Sequence, residues 1–420
     1  MLSTTQPGTP ANGIGAVPPI SPIILSAYTL TNALGAGREA TLSGLRAEAS
    51  GLRPCDFPGV DLPTWTGRVS GLELESASLP PALKAFECRN HRLALMALQQ
   101  DGFMNAVTRA IRHHGTGRVA VIIGTSTSGI LETELAYRAR DPLTGKLPGD
   151  FRYRQTQNTF APADFVRTVL GLTGPALTLS TACSSSAKVF ASAARMLAAR
   201  WCDAAVIGGV DSLCNTTLYG FSSLELISDE PCRPADRDRK GISIGEAAGF
   251  ALLERATPGD GRLALLGYGE SADAYHMSSP HPEGLGAAAA MNQCLARAGL
   301  EPGAIDFTLL HGTATRSNDS AEDNALVSVL GVQARCASIK GWIGHTLGAA
   351  GIMNALIASI CLEESFTPSS LQTRIVDPDF NSQIMLQTES RRLGAVLSNA
   401  FGFGGSNASL LLGWAGGDRR

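Results

Sequence analysis

Cys183 stands between the apolar run "ALTLSTA" and the Ala-rich stretch "SSAKVFASAARMLAARW", which sets its sulfur at a strand-to-helix junction. Unpaired backbone N–H groups and the positive end of a helix dipole at such a junction favour a thiolate over a thiol. The competing reading is one more buried thiol, the ordinary condition of a free cysteine. Position separates Cys183 from the other eight cysteines, which fall in apolar helices, strands or loops and read as packing residues.

A nucleophile needs partners, and seven histidines are available. His311 ends the strand "IDFTLL" and precedes "GTAT", where Thr313 and Thr315 are small enough to let a ligand approach. His345 opens a helix after "SIKGWIG" and before "LGAAG". Both sit at the strand ends and helix starts where α/β folds hold ligands. His91, His113, His114, His276 and His281 read as core or surface residues. Two neutral imidazoles can each donate an N–H to one oxygen, which suits an enolate or a tetrahedral oxyanion. Carbonyl chemistry is therefore expected, whereas a Cys/His protease leaves the second histidine without a task. Lys340 can hold a carboxylate or bias nearby protonation. Glu322, in "SNDSAEDNA", is either an ion-pair partner for His311 or part of a solvated helix start. The cluster "NAFGFGGSNAS" does not follow a strand and open a helix as a dinucleotide fingerprint would. Its glycines, Gly404 among them, allow a mobile, closely packed loop whose Phe401 and Phe403 gate a pocket.

The elements that must position these residues alternate. "HRLALMALQQDGFMNAVTRAI" reads as one helix, "RVAVIIG" as a strand, "SSAKVFASAARMLAARW" as a helix and "DAAVIGG" as a strand. "GAAAAMNQCLARAGL" (helix), "IDFTLLHG" (strand), "NALVSVLG" (helix) and "GAAGIMNALIASICLEE" (helix) continue the alternation. "AVLSNAFGFGG" and "NASLLLGW" close the chain as strands. Such alternation predicts parallel strands in a layered α/β fold. In each half a helix leads to a strand, a small-residue turn ("TSTSG", "TAT") and later a site ("TACSSSA", "GHTLGAAG") that opens a helix, which reads as an internal duplication. Residues 131–160, broken by Pro, Gly and charges, read as an insertion that covers a site. The expected organisation is a flexible extension over 1–22, a half carrying the cysteine over 23–256, and a half carrying both histidines over 262–416.

With 420 residues and 44% hydrophobic composition, the chain can bury one large core or two medium ones. A formal net charge of -3 with 17% charged residues provides no basic stripe for nucleic acid. Nine scattered cysteines without a C-x-x-C pair point to a reducing compartment and to no structural zinc. No basic segment leads an apolar core at the N-terminus, and no uninterrupted apolar run is long enough for a span, so a cytoplasmic protein without membrane insertion is expected.

"TACSSSA", "HGTAT", "KGWIGHTLGAAG" and "NAFGFGGSN" resemble, in this order and spacing, the β-ketoacyl-acyl-carrier-protein synthases, and "PADRDRKGISIGEAAGFALLE" resembles their segment between two halves. The resemblance runs from about residue 22 to 415. It implies the thiolase fold, an α/β architecture of two similar βαβαβαββ halves in five αβαβα layers. It further implies a decarboxylative Claisen condensation that extends an acyl chain by two carbons from malonyl carrier protein. Cys183 would take the acyl chain as a thioester. His311 and His345 would assist decarboxylation and stabilise the carbanion, Lys340 would support them electrostatically and Glu322 would partner Lys340. Backbone N–H groups of Cys183 and Phe403 would form the oxyanion hole, with Phe403 as gate. Phe401, Gly404, Thr313 and Thr315 would bind substrate.

The resemblance implies no bound cofactor and no metal, since the substrates ride on the phosphopantetheine of acyl carrier protein. It also implies a homodimer or a heterodimer with a chain-length-factor-like subunit. "SLCNTTLYGFSSLELIS" and "SADAYHMSSPHPEG" look most like ketosynthases of bacterial aryl polyene pathways. No acyltransferase or carrier segment accompanies the motifs, as in a discrete, type II enzyme. A thiolase would carry a second cysteine near its C-terminus, where this chain has none after Cys361. Ala314 replaces the more usual glycine of "HGTGT", which would narrow the backbone beside His311. The alternatives are a non-catalytic chain-length factor of the same fold, which typically lacks the cysteine, and a Cys/His hydrolase. For an acidic carrier protein, Arg118, Arg152, Arg154 and Arg167 are the candidate contacts.

Overall fold

The computed structural model describes residues 17–416. Its main sheet takes β1 (Ile23–Asn32), β2 (Val119–Gly124), β3 (Ala176–Leu179), β4 (Ala204–Asp211) and β5 (Ala247–Arg255) from the first half. The second half supplies β6 (Leu263–Ala272), β7 (Phe307–Leu309), β8 (Arg335–Ala337), β9 (Gln383–Ile384), β10 (Ala395–Gly402) and β11 (Ser406–Trp414). Across the sheet they run β9-β8-β7-β10-β11-β6-β1-β5-β4-β2-β3. Reading outward from the centre, the two halves match in direction as well as order. The pairs β1/β5 and β5/β4 are antiparallel and β4/β2 and β2/β3 parallel. Likewise β6/β11 and β11/β10 are antiparallel and β10/β7 and β7/β8 parallel. The halves meet where Ile23 and Ile24 of β1 face Leu265 and Ala264 of β6.

The expectation of parallel strands holds for the outer strands of each half only. Between β10 and β11 lie just Phe403, Gly404 and Gly405, and a link that short reverses the chain. The duplication is thus visible as a repeated strand order, although the two sequences differ.

Two helices, α5 (Ser185–Ala198) and α8 (Ala350–Glu364), form the middle layer between the half-sheets. Their side chains Val189, Phe190, Ile352, Met353 and Leu356 share one core with strands of both halves. Contact is close because α8 presents Gly351 there, where an added Cβ would lie 2.4 Å from the Ala187 nitrogen. Outside the first half-sheet lie α1 (Arg89–Leu98), α2 (Phe103–His114) and α4 (Ala161–Val169), packed through Leu93, Phe103 and Phe165. Outside the second lie α6 (Leu285–Ala298) and α7 (Arg316–Leu330), packed through Met291 and Leu326. Five layers result, the thiolase fold.

Several expectations are corrected. The helix expected from His91 to Ile111 is two, because Asp101 and Gly102 take positive φ of 55° and 65° and break the ladder. Of the expected flexible extension, residues 1–16 lie outside the described residues, while Ile20 is docked: its N–H donates to the Arg297 carbonyl at 2.8 Å and it packs on the core. The insertion contributes α3 (Ile130–Arg138) and a short helix, Tyr153–Thr156, with no strand. It lines grooves of its own and does not line the cleft that holds Cys183. The stretch Leu347–Glu364 is long and apolar enough to cross a membrane by composition, yet 89% of it is buried inside the molecule.

Candidate active site

Cys183 follows Ala182, whose φ of 52° turns the chain sharply between β3 and α5. Two residues before α5 begins, its sulfur is buried. The backbone N–H groups of Phe403 and of Cys183 itself lie against the sulfur and favour its anion, as does Lys340, yet burial outweighs them and pushes the thiol up to about 11. The junction and Lys340 act in the direction expected, but desolvation of the anion opposes them more strongly. The proton needs a taker, and His345 Nε2 lies 3.0 Å from Sγ.

His345 does not open the helix as expected. It sits in a turn ahead of α8, between Gly344 at φ 75° and Leu347 at φ 54°. Its N–H donates to the Ser243 carbonyl at 2.7 Å and its carbonyl accepts from Gly245 at 2.9 Å. His311 follows β7, and its ring stands edge-on to that of His345 at 5.3 Å between centroids. Sγ and one nitrogen from each imidazole all lie within 4.8 Å of one another. By donor type the same three atoms could ligate a soft cation such as zinc. Burial, with the nearby Lys340 charge, holds both imidazoles well below their ordinary value, so both are neutral near pH 7.

Lys340 and Glu322 are brought to the site but not to each other. The Lys340 ammonium donates to the His311 carbonyl. Burial lowers its proton affinity, with Glu322 opposing from a distance. The Glu322 carboxylate, also buried, accepts from the His311 N–H at 2.8 Å, the Gly312 N–H at 2.7 Å and Asn399 Nδ2 at 3.1 Å. Neither an ion pair with Lys340 nor a contact with the His311 ring exists, because the carboxylate's lone pairs are spent on the backbone that carries the ring. Burial raises Glu322 to about 7 against those donors.

All five residues expected at the substrate, Phe401, Phe403, Gly404, Thr313 and Thr315, line one cleft with Cys183, His311 and His345. Its empty space is about 600 Å³, counted to the open mouth. Phe403 is partly exposed there and packs on Phe221, centroids 5.6 Å apart. Ala314 does not line the cleft, so the expected narrowing beside His311 does not occur; its methyl points into a small cluster with Leu52 and Cys232. Of the four arginines expected to meet a carrier, Arg118 pairs with Asp203 and Arg167 with Asp164, and none lines the cleft.

Sequence reading missed Asp319, Asn399 and Asn354. Asp319 receives the N–H groups of Thr313 and Ala314. Asn354 bridges the carbonyls of Leu310 and Asn399. Asp319 had a usable signal, since it precedes Glu322 by one helical turn and so shares its face. The asparagines had none, because they act on backbone from distant strands and helices.

Residues 29–258 match the model of the beta-ketoacyl synthase N-terminal domain and residues 263–374 that of its C-terminal domain, so the chain belongs to the beta-ketoacyl synthase family. It is 29% identical to 3-oxoacyl-[acyl-carrier-protein] synthase 2 of Vibrio cholerae over 93% of this chain and 98% of that protein. With the Rhizobium meliloti protein of the same name it shares 36% identity, over 57% of this chain and only 61% of the relative. A chain in the structure of the ketosynthase ApeO in complex with its chain length factor ApeC from Xenorhabdus doucetiae superposes with a TM-score of 0.84. That match has 37% identity and covers 94% of this chain and 98% of the other.

Proposed function

We propose that this protein is a β-ketoacyl-acyl-carrier-protein synthase, an acyltransferase that joins an acyl chain held on Cys183 to a malonyl unit with loss of carbon dioxide. The observation that carries this reading is the convergence of one thiol and two neutral imidazoles, with His345 Nε2 at 3.0 Å from Sγ, at the base of one cleft. Sγ attacks the acyl thioester, its proton passing to His345 Nε2 and on to the departing pantetheine sulfur. The N–H groups of Phe403 and Cys183 receive the developing oxyanion. After the malonyl carrier binds, its carboxylate leaves as carbon dioxide, and the N–H groups of His311 and His345 hold the enolate oxygen. The enolate carbon attacks the acyl carbonyl, the bond to Sγ breaks, and one proton from solvent restores the thiol.

The substrates arrive on phosphopantetheine, and the partners are an acyl carrier protein and a second subunit of this fold, in a reducing, cytoplasmic setting. The likeness to a ketosynthase in complex with a chain length factor supports a heterodimer. The complete cysteine and histidine set supports the catalytic rather than the chain-length-factor role. The two segments that look like aryl polyene ketosynthases make that pathway the narrower proposal. Intact mass of the protein after incubation with acyl carrier protein, then with malonyl carrier protein, tests the reading. Wild type is expected to gain the acyl mass and release a product two carbons longer, and Cys183→Ala to gain nothing. No adduct with any acyl chain would assign the non-catalytic role, and release of free acid without a malonyl donor would assign hydrolysis.

A further inference from the structure

Asp211 ends β4 and is fully buried. No lysine, arginine or histidine among the described residues forms an ion pair with it. Its carboxylate is held by neutral donors alone. From the turn after β2 it receives Thr125 Oγ1 at 2.6 Å, the Ser126 N–H at 3.0 Å, Ser126 Oγ at 2.6 Å, the Thr127 N–H at 2.9 Å and Thr127 Oγ1 at 2.8 Å. From the second half it receives the Gly348 N–H at 2.6 Å. An unpaired buried carboxylate is costly, and packing alone would be served as well by a neutral side chain.

The Gly348 contact gives the charge a purpose. Gly348 lies three residues beyond His345, in the turn where Leu347 adopts a positive φ of 54°, a conformation that costs an L-residue about 1–2 kcal/mol. Such strain persists only where surrounding contacts impose it. An added Cβ on Gly348 would fall 2.7 Å from Asp211 Oδ2 and 2.7 Å from the Ser126 nitrogen, so glycine alone lets the turn come this close. On its other side His345 is pinned by Ser243 and Gly245.

We propose that Asp211 is a positioning residue: it clamps the turn carrying His345 onto the half that carries Cys183, and so sets the contact between Nε2 and Sγ. The clamp spans the two halves, as does the bond from the Ile352 N–H to Ser186 Oγ at 2.9 Å. Asp211 does not line the cleft, and its charge reaches the Cys183 thiol only from a distance, raising it. Its loss is therefore expected in the turnover rate rather than in carrier affinity. This inference rests on the synthase reading for its kinetic arm only.

Full-length Asp211→Asn is compared with wild type for acylation of Cys183, condensation and iodoacetamide alkylation of Cys183. Displacement of the imidazole by about 1 Å is expected to lower kcat by about 10²-fold with KM unchanged. Gly348→Ala breaks the same clamp from the opposite side, so the double variant is expected to lose no more than the worse single one. If instead the two losses multiply, the clamp is overturned. Asp306→Asn alters a carboxylate that is likewise held by backbone N–H groups, those of Gly394 and Ala395, and that does not line the cleft; it is expected to lower Tm and leave kcat alone. A pattern of that kind in Asp211→Asn overturns the proposal. Should Asp211→Asn not fold, Ser126→Ala removes one donor from the clamp and is expected to lower kcat by a smaller factor, with no change overturning it. Altered alkylation in Gly348→Ala, which keeps the Asp211 charge, in a protein whose wild type forms no acyl adduct, would sink the synthase reading and keep the clamp.

Discussion

The side chains that bond the turn bearing Cys183 are neutral, and the carboxylate of Asp211 acts on its thiol without touching it. Thr181, Ser184 and Ser185 bond to one another and to the backbone of Thr181 and Ala182. Around His311 the supporting side chains are ionisable: Asp319 and Glu322 hold the loop by its N–H groups and Lys340 holds it by a carbonyl. On the proposed reaction the sulfur passes between thiol, anion and neutral thioester, and a fixed charge in contact would bias one of those states. The same proposal gives the imidazoles a different duty, to remain neutral and oriented while charge grows on a substrate oxygen. Rigid orientation is obtained by placing carboxylates on the backbone, out of reach of the rings. Both regions feel the charge of Lys340, which favours the thiolate and disfavours imidazolium at once.

The sharpest way to break this division is His311→Ala. His345, not His311, bonds the sulfur, so the variant is expected to acylate Cys183 near the wild-type rate. Decarboxylation of the malonyl carrier is expected to fall by about 10³-fold, the upper end for loss of one oxyanion donor. Adduct formation followed by mass and carbon dioxide release followed separately would check it. An equal loss in both steps would mean that the two regions act as one unit.

The same contrast governs what could be read from the sequence. Cys183, His311 and His345 stood out because each sits at a punctuated end of a periodic segment, and strands β2, β4, β7, β10 and β11 followed from the same periodicity, whereas β5, β6, β8 and β9 did not. The partner of Glu322 was not legible, because its three bonds go to two backbone groups and to Asn399, which sequence spacing does not relate. The burial of Cys183 was not legible for a related reason: a junction is visible in sequence, but the depth at which the sulfur lies is not. Asp211 carried no signal either, since its donors come from segments far apart in the chain.

A smaller effect is expected at Glu322 and concerns pH. Burial raises its folded value to about 7, against an ordinary 4.5, so the folded protein binds a proton more tightly than the unfolded chain. Stability from this group is then fully present below about pH 4.5 and is lost as pH rises through 7, a change of about 3 kcal/mol. In Glu322→Gln that slope is expected to vanish. Urea unfolding of both proteins at pH 5 and pH 8 would measure it, the variant's deficit shrinking at the higher pH. A deficit independent of pH would mean that the carboxylate is ionised throughout, its N–H donors having overcome burial.

The smallest expected effect is at Ala314, where the family resemblance leads one to expect glycine. Its φ of 67° costs an alanine about 1–2 kcal/mol that glycine would escape. Against this, its buried methyl packs with Leu52 and Cys232, and one buried carbon contributes about 0.8 kcal/mol. Glycine would also loosen the unfolded chain, which costs about 0.4–1 kcal/mol. These terms nearly cancel, so Ala314→Gly is expected to change stability by less than about 1 kcal/mol. Activity is expected to be unchanged, since Asp319 still receives the N–H of this residue and the cleft never meets its side chain. A large gain in stability would show that strain beside His311 is stored rather than offset. A loss of decarboxylation at unchanged stability would show that the methyl, by filling the space under the loop, belongs with the carboxylates among the groups that orient the ring.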